Sequence, residues 1–118
     1  MVQIQTALER RMHYRTRTDQ YSVSLPLGVV RELQWRKGDA LLLSNVGDGY
    51  LVRKISDEAE LHALRKHHLI IKLQGDLRRN EYSIYFPKTM VRLHAWTSDT
   101  VFEISDAAGG ILLRVKRG

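Results

Sequence analysis

Arg11, His13, Arg15 and Arg17 alternate with Met12, Tyr14, Thr16 and Thr18. Successive side chains of an extended segment point to opposite faces, so the four basic groups fall on one side. Alternate residues lie about 6.6 Å apart, a spacing comparable with the path between successive phosphates on one DNA strand. An arginine fork can bridge a phosphate or a guanine edge with two N–H donors. The plainer reading is an edge strand whose charges prevent pairing with another edge.

Other residue types offer less. Trp35 and Trp96 could stack on bases, but each ends an apolar helical stripe, so core packing is expected, as it is for Tyr21 and Tyr82. Gly47-Asp48-Gly49 lacks the Gly-Lys-Ser/Thr of a phosphate loop and reads as a hairpin turn. His62, His67 and His68 cluster, but 62 and 67 share a helix face poorly and there is no HExxH, so no metal is expected. His94, at a helix end, is expected to be solvated or capping. No Ser, His and carboxylate form a recognisable catalytic set, and no enzyme activity or cofactor is expected. The chain has no cysteine, which removes disulfides and thiol chemistry.

The chain that must position these groups has 118 residues, 43% of them hydrophobic and 27% charged. That suits one modest core. No apolar run exceeds Ala40–Leu43, far short of the roughly 20 residues of a membrane span. The start, Met1 to Thr6, lacks a signal-peptide layout, so a cytoplasmic, nucleoid location is expected and no membrane partner. Nineteen Lys and Arg against thirteen Asp and Glu give +6, which favours a polyanionic partner. Residues 1–55 carry nine basic and five acidic groups, 56–68 two and three, and 69–118 eight and five. The basic excess therefore sits at both ends.

Those ends are copies of each other. The two prolines, Pro26 and Pro87, are 61 residues apart, and so are the two tryptophans. At that offset Tyr21–Pro26 lies over Tyr82–Pro87, Val30-Arg31 over Val91-Arg92, and Gly49–Arg53 over Gly110–Arg114, without gaps. Each copy reads as an alternating strand (Tyr21–Leu25; Tyr82–Phe86), a proline that ends it, and a short helix (Leu27–Gln34; Lys88–Ala95). A turn and a hairpin follow, with strands at Ala40–Leu43 and Tyr50–Ile55, and at Val101–Ile104 and Ile111–Lys116. A further strand precedes each proline strand, joined by turns at Asp19-Gln20 and Gly75-Asp76. In the second copy Lys72, Gln74 and Arg78 lie on its outer side, and Asp76 stands where the first copy has Arg15, so the pair should grip a partner asymmetrically. Residues 56–68 read as a helical linker capped by Ser56. The domain plan is thus 1–55, 56–68 and 69–118, with both copies forming one barrel.

The run Ser22-Val23-Ser24-Leu25-Pro26, a short helix ending Leu33-Gln34-Trp35, then Lys37-Gly38-Asp39 and a hairpin, resembles the AbrB/SpoVT family. The second copy keeps the proline, helix and hairpin but has Ser98-Asp99 for Gly-Asp. The resemblance implies a mainly β fold with short helices, a swapped-hairpin barrel made by two interlocked units. It also implies duplex-DNA binding, or the antitoxin half of a toxin–antitoxin pair. In DNA-binding members an arginine five residues after the proline makes contacts, a position held here by Arg31 and Arg92. The first-strand basics correspond to Arg11, Arg15 and Arg17, while Ser22 and Ser83 stand where the family has an arginine.

The expected function is DNA binding by a transcription regulator or nucleoid component. The expected contacts are Arg11, His13, Arg15, Arg17 and Arg31 in the first copy, and Lys72, Arg78, Arg79 and Arg92 in the second. Homo-oligomers are compatible with this reading. The rival readings are an antitoxin-like or scaffold module with a protein partner, and an RNA-binding protein. The basic end, Arg114 to Arg117, counts against the acidic tail of an antitoxin.

Overall fold

Proline sets the first boundary in each copy. Pro26 and Pro87 have φ of −60° and −58° and sit at the helix N-caps, where each carbonyl accepts two N–H groups, from Val29 and Val30 and from Met90 and Val91. The structure is a computed structural model that describes residues 8–64, 69–76, 78–107 and 109–116. In chain order the elements are β1 (Leu8–Arg11), β2 (His13–Arg15), β3 (Gln20–Leu25), α1 (Leu27–Glu32), β4 (Ala40–Asn45), β5 (Gly49–Lys54) and α2 (Glu58–Leu64). They continue with β6 (Leu69–Lys72), β7 (Gln74–Asp76), β8 (Glu81–Phe86), α3 (Lys88–Leu93), β9 (Val101–Ala107) and β10 (Gly110–Val115). From β1 and β6 through β5 and β10, each element outside α2 starts 61 residues before its counterpart.

The strands form two antiparallel sheets, ordered β1-β9-β10-β5-β4-β6 and β2-β3-β8-β7. Each is centred on a pair of equivalent strands. Val23 faces Ile84 at the middle of β3–β8, and Leu51 faces Leu112 at the middle of β5–β10. The first strand of each copy pairs with the hairpin of the other, β1 with β9 and β6 with β4. The inward positions Val23, Leu41, Val52, Ile84, Ile104 and Ile111 are wholly buried, so one core serves both copies.

A closed barrel was expected, and the sheets do not close. The leading strand of each copy turns a corner at Met12 and Leu73. There the leading strand leaves the six-stranded sheet and joins the four-stranded one, as in orthogonally packed sheets. Met12 donates its N–H to Thr100 O (2.8 Å) and Leu73 to Asp39 O (2.9 Å), each into the other copy, and both side chains are buried. The turns differ as well. Residues 16–19 turn in the first copy, with Gln20 already in β3, whereas Gly75 and Asp76 lie in β7 and the turn is at 78–80. The helices are shorter than expected, because Gln34 and Ala95 take left-handed φ of 59° and 54°. Asp57 rather than Ser56 caps the linker helix, accepting from the Ala59 N–H at 2.9 Å. Residues 65–68, with His67 and His68, lie outside the described residues.

Candidate nucleic-acid interface

Strand alternation divides the four-stranded sheet cleanly. Tyr21, Val23 and Leu25 on β3, and Tyr82, Ile84 and Phe86 on β8, join the core. The opposite face is polar. Across it His13 faces Ser22, which faces Tyr85, and Ser24 faces Ser83, which faces Gln74. Arg15 faces Gln20 at one edge, and Asp76 faces Glu81 at the other.

This face and the adjoining end of β1 form a cleft of about 510 Å³. Arg10, Arg11, His13, Arg15 and Arg79 line it, over Ser22, Ser24 and Ser83, with Glu81 its acidic group. A neighbouring cleft of about 440 Å³ shares Arg15 and Arg79 and adds Lys37, Arg78, Asp76 and Tyr85. Arg15 therefore joins the two. Its guanidinium carbon lies 5.9 Å from the centre of the Tyr85 ring, within cation–π range, which holds a long side chain over the middle of the sheet. Asp76 organises the turn beside it by accepting from the Arg78 N–H (3.0 Å) and facing Arg79 at 3.8 Å. An open, polar cleft rimmed by guanidinium groups suits a polyanion bound by charge and forked hydrogen bonds.

The other expected residues are dispersed. Arg17 lies in the 16–19 turn, and Lys72 ends the edge strand β6. Arg31 lines a separate cleft with Gln34, Trp35 and Lys54, and Arg92 another with Asp19, Lys88 and Trp96. The uninterrupted stripe from Arg11 to Arg17 is corrected in the same way. The strand breaks at Met12, and alternation keeps Arg11, His13 and Arg15 outward only as far as the turn. Arg10, Ser24, Tyr85 and Lys37 were not anticipated. The polar phase of β3 and β8 was a readable signal for the serines and Tyr85. Nothing local marks Lys37, which arrives because Gly38 donates to Leu73 O at the corner (2.8 Å).

The aromatic residues take structural roles. Trp35 and Trp96 are buried, so neither offers a face to a base. Trp96 packs on Phe86 and Phe102, and His94 stacks on it at 4.7 Å while pairing with the Tyr50 hydroxyl at 2.6 Å. His94 thus stands at the C-cap of α3, the capping place expected of it, and is engaged with the core edge rather than solvated. Among the described residues no group of three or more His, Asp or Glu could hold a metal ion. Among the described residues no helix is long and apolar enough to cross a membrane.

Charge also ties the copies together. Asp19, in the first copy's turn, binds Lys88 of α3 and accepts from Tyr14 Oη (2.7 Å). Hydrogen bonds from Lys88 and then Tyr14 hold the Asp19 carboxyl below the usual range, and the same bond to Asp19 raises the Tyr14 hydroxyl. Glu9 on β1 pairs with Lys116, raising that ammonium above the ordinary lysine value.

Comparison with protein-family models, with curated proteins and with solved structures gives no match to this chain.

Proposed function

We propose that this chain binds duplex DNA through the outer face of its four-stranded sheet, acting as a transcription regulator or a nucleoid component. The reading rests above all on one observation: the gathering of Arg10, Arg11, His13, Arg15 and Arg79 around one open polar cleft. Long-range attraction from a +6 chain brings the duplex in. The arginines then hold phosphates, with the hydroxyls of Ser24 and Ser83 beneath them as further donors. On this reading the fold is a swapped-hairpin pair of AbrB-like units within one chain. The exchange of β1 and β6 between the copies' hairpins supports that part.

The test is fluorescence anisotropy with a labelled duplex across about 50 to 200 mM salt. Each phosphate contact contributes about 0.9 to the slope of log affinity against log salt. Arg11→Ala with Arg15→Ala should weaken binding and flatten the slope by about 1.8, two contacts' worth. Arg31→Ala and Arg92→Ala should cost less than that pair. A larger loss at the helix positions would move the interface to the helix ends. Preference for an RNA duplex in competition would redirect the reading to RNA.

A further inference from the structure

We infer that one chain carries one nucleic-acid cleft and not two, so that a duplex is held to one side of the internal two-fold axis and in a single orientation. The inference rests on the DNA-binding reading above.

The registers of β3–β8 and β5–β10 define a pseudo-two-fold axis that carries each residue onto the one 61 positions away. A chain with two equivalent units would be expected to present two equivalent clefts, as a symmetric dimer presents itself to a palindrome. The side chains break that symmetry at the cleft. Rotation takes Arg10, Arg11, His13 and Arg15 to Ile71, Lys72, Gln74 and Asp76. It takes Leu27, Arg79 and Asn80 to Lys88, Thr18 and Asp19. The observed cleft sets four arginines against one carboxylate, Glu81. The rotated set holds two lysines and two aspartates, and one of those lysines, Lys88, is already bound to Asp19. With histidine neutral, the first cleft is three charges positive and its mate is neutral.

Geometry sharpens the difference. Arg15 reaches over Tyr85 near the axis, whereas the rotated pair would be Asp76 over Ser24. Asp76 and Glu81 are also direct cross-strand partners, so two carboxylates share the β7 edge of the face. Arg15, Lys37, Arg78 and Arg79 line the cleft on that edge too, with Arg79 3.8 Å from Asp76, so the two carboxylates leave it less positive than the first cleft. The polyanion is therefore favoured along β1 and β2 over β7. The partner is a duplex site without two-fold symmetry, recognised in one polarity.

The experiment uses the full chain and a duplex just long enough for one cleft. The wild type should bind one such duplex per chain by native mass spectrometry. Asp76→Asn keeps an acceptor for the turn and removes the charge, and it should tighten binding several-fold. Ile71→Arg with Asp76→Arg should create a second site, read as two duplexes per chain by native mass spectrometry. Two duplexes on the wild-type chain would overturn the inference while leaving DNA binding intact. So would unchanged affinity in Asp76→Asn and a single duplex on the double variant, both with wild-type melting temperatures, or a loss from Lys72→Ala equal to that from Arg11→Ala. A wild-type chain that binds no duplex overturns the functional reading and this inference with it.

Discussion

Gly49 and Gly110 show how single residues make room for the β5–β10 pairing at its two ends. A Cβ at Gly49 would lie 2.0 Å from Leu113 O, and one at Gly110 2.3 Å from Val52 O, both backbone atoms of the facing strand. Gly49→Ala should therefore cost roughly 1–3 kcal/mol through forced strand separation, read as a lower urea midpoint with an unchanged slope. Ala95 makes the opposite case. Its left-handed φ of 54° has no glycine to relax it, and nothing in the symmetry requires alanine there. Ala95→Gly should raise stability by about 1 kcal/mol, seen as a higher melting temperature. Asp19 gives a pH signature. Because its folded carboxyl is held below the unfolded value by Lys88 and Tyr14, its contribution is present above the ordinary carboxylate range and fades as pH falls through the folded value. Asn80 holds the rotated position with the same φ of 52°, so Asp19→Asn leaves the backbone unstrained. That variant should melt below the wild type at neutral pH, and the gap should close in strong acid.

At the scale of elements, the sequence is most informative where physics is local. Proline ended β3 and β8 as expected, alternation assigned their two faces, and the 61-residue offset aligned every later hairpin. The corner at Met12 and Leu73 was not legible, because no glycine or proline marks it and the alternation runs through it in phase. The chain changes sheets there, where its N–H bonds to the other copy, a contact no local pattern encodes. The turn at 78–80 was missed for a related reason: Gly75-Asp76 looks like a turn, yet Gly75 and Asp76 hydrogen-bond with β8. The cleft was half legible, since Arg11, His13 and Arg15 share a phase and Arg79 was among the expected contacts, whereas Arg10 lies before the break at Met12 and Lys37 arrives through the unseen corner. The corner makes its own prediction. Leu73 is fully buried, and Leu73→Ala should cost about 2–5 kcal/mol in urea denaturation.

At the scale of the molecule, the two copies are not separable units. Each lends its first strand to the other's hairpin, and the aromatic cluster around Trp96 takes Tyr50 from the first copy. The linker helix α2 has no buried residue, so it contributes little to the shared core. Proteolysis confined to the linker should leave two fragments that co-elute as one folded particle and separate only in denaturant. The interface on the outer sheet face admits a direct test by amide chemical-shift mapping of the full chain titrated with duplex DNA. The account predicts perturbations concentrated on His13–Arg15, Ser22–Ser24 and Ser83–Tyr85, fading towards α1 and α3. Perturbations centred on the helices, or none at low salt, would contradict it.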